Sequence, residues 1–275
     1  MTADAQQQVE IVRVRTGMRT RDRDCAATEE PLEIRIHDRP FAVIMRTPGA
    51  DRELAAGFLL AERVVRSSDD LGTIAHCTDP DAAGVRAENL VNVTLANGSA
   101  PLLEQLMADR RQVTTNSSCG LCGRRTIESL AADAAPILAS WTVPTATIAA
   151  MPAQLRARQT VFDETGGLHA AGLFSRDGVL VDSAEDVGRH NAVDKIVGRM
   201  LMREALPLSE SMLCVSGRTS FEIVQKAVFA GIPVVAAVSA PSTLAISLAD
   251  ALGVTLIGFV RGDGFNIYAH PERIV

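Results

Sequence analysis

Two rhythms of apolar and polar positions divide the chain. From Pro31 onward, Leu32, Ile34 and Ile36 alternate with Glu33, Arg35 and His37, the period-two pattern of a half-buried strand. The residues DRP then turn the chain, and Phe41 to Arg46 complete a predicted hairpin. The stretch ADRELAAGFLLAERVV predicts a helix with Asp51 as its N-cap and Leu54, Phe58 and Val65 on one face. NLVNVTLANG alternates again as a strand, and residues 101–111 predict a short helix. The second half changes rhythm. SMLCVSG, PVVAAVS and VTLIGFV are short, wholly apolar strands, separated by the helices TSFEIVQKAVFAG and PSTLAISLADALG. Strands of that kind alternating with helices predict a parallel sheet covered on both faces.

Composition adds limits. The 275 residues are 47% hydrophobic but only 4% aromatic, so the core is built mostly from Ala, Val, Leu and Ile. A formal charge of −6 argues against a dedicated nucleic-acid binder, and no nucleic-acid partner is expected. The start, MTADAQQQVE, has no apolar signal region, and the most apolar region, residues 232–260, is broken by Pro233, Ser239, Pro241, Ser242, Asp250 and Gly253. The expectation is a soluble, cytoplasmic protein with no membrane span. Residues 1–30 are polar, with Arg13, Arg15, Arg19, Arg21 and Arg23 mixed with Asp22 and Asp24, and read as a solvated, partly disordered arm. Residues 31–111 read as a small α+β domain. Residues 112–275 read as an α/β domain that opens with TNSSCGLCGRR.

Parallel strands place their carboxyl ends on one edge of the sheet, where ligands bind. After the first strand comes SGRTS (Ser216 to Ser220), after the second SAPS (Ser239 to Ser242), and after the third VRGDG (Val260 to Gly264). All three are small, polar or basic. The first two enter helices whose free N–H groups favour anions. This predicts a phosphate or pyrophosphate site with Arg218, Ser239 and Arg261 among its residues. A second polar cluster, Glu185, Asp186, Arg189, His190 and Asn191, opens another helix, and His169 follows a Gly-Gly turn.

Five cysteines in a reducing compartment are no disulfide framework, so Cys119 and Cys122 form a working pair or half a metal site. A structural zinc needs four ligands, and one such pair with isolated Cys25, Cys77 and Cys214 does not supply them, so no metal is expected. Cys214, inside an apolar strand, reads as a small hydrophobe. The residues alone leave open a dithiol oxidoreductase, a binding chaperone, or a loop that carries a group on an activated thiolate near Arg124 and Arg125.

Several long motifs occur in one order: CGLCGR, TGGLH, EDVGRHNAVDK, SGRTSFEIVQKAVFAGIPVVAAVSAPSTLA and GFVRGDGFNIYAHPERI. In these, from about residue 30 to the end, the chain resembles the formate dehydrogenase accessory sulfurtransferase family (FdhD). The resemblance implies a homodimer with a cytidine-deaminase-like α/β/α domain lacking zinc. It implies a sulfurtransferase that receives persulfide sulfur from a cysteine desulfurase and delivers it to the molybdenum cofactor, as Mo-bis(molybdopterin guanine dinucleotide), for formate dehydrogenase. By that resemblance Cys119 carries the persulfide, Cys122 is the second motif cysteine, and Phe259, Val260, Arg261, Gly262, Asp263 and Gly264 form the cofactor-binding loop. Asp263 is the discordant residue there, since a carboxylate should not face a pyrophosphate.

Overall fold

A computed structural model describes residues 4–77, 87–96 and 134–275. The helix expected at 101–111, the boundary expected at 111/112, and Cys119 and Cys122 lie outside these residues.

The expected hairpin is present as β3 (Glu30–Ile36) and β4 (Arg39–Arg46), with Leu32, Ile34 and Ile36 buried. Its turn comes earlier than DRP suggests. His37 and Asp38 both take positive φ, 49° and 62°, which suits a two-residue turn between twisted strands. Pro40 then falls within β4, an edge strand, where its missing N–H leaves no ladder bond unmade. With β5 (Leu71–His76) and β6 (Leu90–Leu95) these strands form a sheet in the order β4-β3-β6-β5.

Helix α1 (Asp51–Ala61) buries Leu54, Leu59 and Leu60, and Val65 is buried just beyond its end. Asp51 is not the N-cap. That position is Ala50, in the left-handed conformation, and makes no side-chain cap bond. Asp51 is instead buried in a two-pronged pair with Arg46, at 2.9 and 3.0 Å. Its oxygens are therefore committed to a tertiary partner.

The segment read as a partly disordered arm is an antiparallel hairpin, β1 (Gln6–Arg15) and β2 (Met18–Ala27), solvated over most of its length.

The second half forms a six-stranded sheet in the order β12-β11-β10-β9-β7-β8. The strands are β7 (His169–Ser175), β8 (Leu180–Asp186), β9 (Ser211–Val215), β10 (Val234–Ala237), β11 (Thr255–Arg261) and β12 (Gly264–Ala269). As expected, β9, β10 and β11 run parallel. Alternate side chains enter different layers. Phe174, Met212, Cys214, Val234, Ala236 and Ile257 pack beneath α2 (Thr145–Arg156) with Ile148, Met151 and Leu155. Leu173, Leu213, Val215, Val235, Ala237 and Leu256 pack on the other side with α4 (Arg189–Met202), α5 (Phe221–Ala230) and α6 (Thr243–Leu252). The short α3 (Thr160–Thr165) precedes β7.

This second cluster also contains α1 and the inner face of the four-stranded sheet. The two halves thus share one apolar core. Gly231 and Gly253 end α5 and α6 with φ of 76° and 73°, the left-handed C-cap that glycine adopts without strain. Pro241 precedes the N-cap of α6, which is Ser242, whose hydroxyl accepts from Ala245 N.

A candidate anion site at the sheet edge

The carboxyl ends of β9, β10 and β11 gather the three turns expected from the sequence. Hydrogen bonds, three of them between main-chain groups, join them. Thr219 N donates to Ala240 O at 3.2 Å and Ser242 N to Thr219 O at 3.0 Å, pairing the first turn with the second. Phe259 N donates to Ser239 O at 3.2 Å, and Arg261 Nε to Val238 O at 3.2 Å, pairing the second with the third. Gly258 has no room for a side chain: a β-carbon would lie 2.9 Å from Pro241 Cδ and 3.1 Å from Ser239 O.

Within the third turn the side chains part company. Phe259 has φ 55°, unusual for an aromatic residue, and its ring is exposed. Arg261 lies over that ring, with its guanidinium carbon 5.6 Å from the centroid. Val260 points inward and is 1% exposed, so only its main chain faces the edge. Gly262 and Asp263 form the exposed tip, where a β-carbon on Gly262 would meet nothing within 4 Å. Arg218 is exposed in the first turn and Ser239 is half-buried in the second.

Two further elements reach the edge. β7 runs antiparallel to β9, so His169 starts where Val215 ends. Ala170 N donates to Ser216 Oγ at 2.8 Å, and Ser216 N to Ala170 O at 2.9 Å. The His169 ring lies against Gly217, whose absent β-carbon would stand 3.2 Å from Nδ1. Burial first, and then the charge of Arg189, lowers the His169 pKa.

The polar cluster of residues 185–191 divides into two jobs. Glu185 accepts from Val161 N and Phe162 N at 3.1 and 2.8 Å, holding the start of α3. Asp186 is fully buried and takes Lys195 Nζ at 2.7 Å, Gly188 N and Asn191 Nδ2 at 2.8 Å each, and Thr47 N at 3.2 Å. With its oxygens filled, Asp186 anchors the loop before α4 to the N-terminal half. His190 faces the edge instead, with Nε2 2.9 Å from Ser220 Oγ and 3.7 Å from Glu222 Oε2. Burial, helped by Lys226 and Arg189, pushes its pKa down to about 4, so the ring is neutral at physiological pH. One turn deeper, Lys226 Nζ grips both oxygens of buried Asp194 at 2.6 and 2.8 Å.

The sequence did not show the pairing of His190 with Ser220 and Glu222, or of Lys226 with Asp194. The available signal was spacing: His190 with Asp194, and Glu222 with Lys226, each four apart on helices that pack together. Cys214 is fully buried and burial pushes its thiol up to about 12, consistent with a small apolar residue. Among the described residues no group of three or more His, Cys, Asp or Glu is placed to hold a metal ion. Among them also, no helix is long and apolar enough to cross a membrane.

Comparison with known proteins places this chain in a family. The FdhD/NarQ family model matches residues 27–275. A sulfur carrier protein FdhD of Streptomyces avermitilis is 49% identical over 272 residues, covering 96% of this chain and 94% of its own. Another, of Mycobacterium tuberculosis, is 50% identical over 253 residues, covering 90% and 91%. The crystal structure of a formate dehydrogenase accessory protein from Desulfotalea psychrophila aligns with a TM-score of 0.77 at 26% identity, over 99% of this chain and 100% of that one. The match spans both sheets and all three turns, and the chain belongs to the FdhD/NarQ family.

Proposed function

We propose that this protein is a cytoplasmic, homodimeric sulfurtransferase serving formate dehydrogenase. Cys119 takes sulfur from a cysteine desulfurase and passes it to Mo-bis(molybdopterin guanine dinucleotide), bound as substrate along the sheet edge. In the loading step the Cys119 thiolate attacks the outer sulfur of the donor's persulfide. A new S–S bond forms at Cys119, the donor's S–S bond breaks, and the donor leaves as its thiolate. Arg124 and Arg125 near the pair favour the thiolate, and Cys122 assists. The α/β/α layering is in keeping with a cytidine-deaminase-like reading of the second domain, and nothing in the proposal requires a structural metal.

The observation that carries the reading is the joining of three turns of small, polar or basic residues on one edge, in a chain whose relatives are named sulfur carriers. The residues suit a guanine dinucleotide. Arg218 and Arg261 offer exposed cations for phosphate, Phe259 offers an exposed ring for a base, and Ser239 offers a hydroxyl. Gly262 and Gly264 let the main chain come close, and Val260 contributes main chain alone. Asp263 is exposed at the tip and remains the discordant residue of the loop.

Two measurements test this. Titration of guanosine diphosphate by calorimetry should show affinity falling roughly ten- to a hundred-fold in Arg218→Ala and in Arg261→Ala, the loss of one charge-assisted contact of about 1.5–3 kcal/mol. Mass spectrometry after treatment with a cysteine desulfurase and cysteine should map a sulfur adduct to Cys119 that disappears in Cys119→Ala and survives both arginine changes. Unchanged nucleotide binding in both variants would move the site elsewhere. An adduct that persists in Cys119→Ala would remove the cysteine assignment.

A further inference from the structure

The β1–β2 hairpin has two unlike faces. Its register sets Val14 opposite Arg19, Val12 opposite Arg21, Glu10 opposite Arg23 and Gln8 opposite Cys25. Side chains alternate between faces, so Arg19, Arg21 and Arg23 stand in file on one face, beside Val12, Val14 and a single carboxylate, Glu10. The other face carries Val9, Ile11, Arg13, Arg15, Met18, Asp22 and Asp24. There both carboxylates are paired, with Arg13 2.8 Å from Asp22 and 3.9 Å from Asp24. On the first face no ion pair holds Arg19, Arg21 or Arg23 among the described residues, and all three are exposed. Val12 and Val14 on that face are 61% and 59% exposed.

An isolated two-stranded hairpin is marginal in water, and among the described residues this one is supported at its root. There Gln6 bonds Glu164, Thr28 N donates to Ala5 O at 2.9 Å, and Ala27 lies beside Gly167. Residues 14–24 are exposed throughout. The root touches Gly167, two residues before His169, so the hairpin leaves the fold near the start of β7.

We infer that the file of Arg19, Arg21 and Arg23 with Val12 and Val14 is a docking face for an acidic, extended segment of a partner protein. The spacing of the arginines is that of alternate strand residues. It matches a segment whose carboxylates also recur at every second position. Interleaved arginine and valine suit a protein interface, in which arginine and apolar contact act together. A nucleic acid fits less well with a chain of net charge −6. Strand addition along β2 is disfavoured over Arg23 to Cys25, where the N–H groups of Arg23 and Cys25 already donate to Asp22 Oδ1 and Asp24 Oδ1 at 2.8 and 3.0 Å. The segment therefore lies across the arginine face. This inference stands apart from the sulfur-carrier reading and does not depend on it.

The test uses the intact chain and a fluorescent peptide of alternating glutamate and valine, followed by anisotropy. The wild type binds the peptide, more weakly as salt rises. A variant carrying Arg19→Glu, Arg21→Glu and Arg23→Glu binds at least about tenfold more weakly, since exposed charge contacts are individually small and three are reversed. Its melting temperature stays within about 2 °C of wild type, as expected for changes at exposed positions. Equal binding by wild type and variant, or none by wild type, overturns the inference. So does tighter binding of a DNA duplex than of the peptide. Loss of a self-associated species in the variant on sedimentation, with peptide binding intact, also overturns it, by making a second copy the occupant.

Discussion

Gly57 in α1 lies against the carbonyl of Asp194 in α4, so close that an added β-carbon would stand 2.1 Å from that oxygen. The contact is reciprocal. A β-carbon on Gly198, one turn further along α4, would stand 1.9 Å from the carbonyl oxygen of Glu53. The obstacles are main chain, which cannot swing aside as a side chain would. The two glycines therefore let α1, from the N-terminal half, and α4, from the second half, cross backbone to backbone. Gly57→Ala and Gly198→Ala should each destabilise the chain by on the order of 3 kcal/mol or more, read as a lowered urea midpoint, because the helices must separate to accept one methyl group. A cost below about 1 kcal/mol for both would mean that the crossing has slack.

The ion pair between Lys226 and Asp194 should behave as a buried pair whose halves cannot be removed singly. Asp194 is fully buried, and burial, outweighing Lys226, pushes its pKa up to about 6. Lys226→Met leaves that carboxyl without its cation and should cost about 3–5 kcal/mol. The double change Lys226→Met with Asp194→Leu should recover most of the loss. Chemical denaturation of the three variants checks this, and a double variant no better than the single would show that the pair also places the helices.

How much of this was legible depended on whether a feature is local. Strands β9, β10 and β11, their parallel order and the glycine-ended helices follow from short apolar runs and their punctuation. The three turns met because parallel strands leave their carboxyl ends on one edge. Asp51 misled because an N-terminal aspartate reads as a cap until Arg46 claims it across the fold. The arm misled because β2 reads MRTRDRDCAA, a charge-rich string with no apolar alternation, and only its pairing with β1 makes it a strand. Val260 was grouped with its loop neighbours, although period-two geometry turns it inward between exposed Phe259 and Arg261.

Acid should weaken the fold through His190. Its pKa is held at about 4 against the ordinary 6.5, so between those values the unfolded chain binds a proton that the folded one refuses. Stability therefore rises with pH across that window, and is lost as pH falls from 6.5 toward 4. Lys226, Arg189 and His169 oppose the imidazolium, and Glu222 favours it. Asp194 works in the opposite sense below about 6, so total stability blurs the effect. Comparison with His190→Asn isolates it. The wild type should lose on the order of 3 kcal/mol more than the variant between pH 6.5 and 4. Parallel stability curves would show that the ring titrates normally.

Thr219 gives a sharper check on which groups at the edge face a ligand. It is 1% exposed, and its hydroxyl is buried without a hydrogen-bond partner among the described residues. Its main chain is what joins the first two turns, through Ala240 O and Ser242 N. Valine keeps the shape and removes a hydroxyl whose burial costs about 1–3 kcal/mol when unpaired. Thr219→Val should therefore be at least as stable as wild type on thermal melting. Guanosine diphosphate should bind it within about twofold of wild type, because the deleted oxygen is covered and the turn geometry is kept. The exposed Arg261 supplies the contrast, since its loss should weaken the same titration roughly tenfold or more. Should Thr219→Val lose nucleotide affinity as Arg261→Ala does while melting like wild type, the hydroxyl must turn outward to meet the ligand. The edge would then bind by rearranging rather than as a preformed surface.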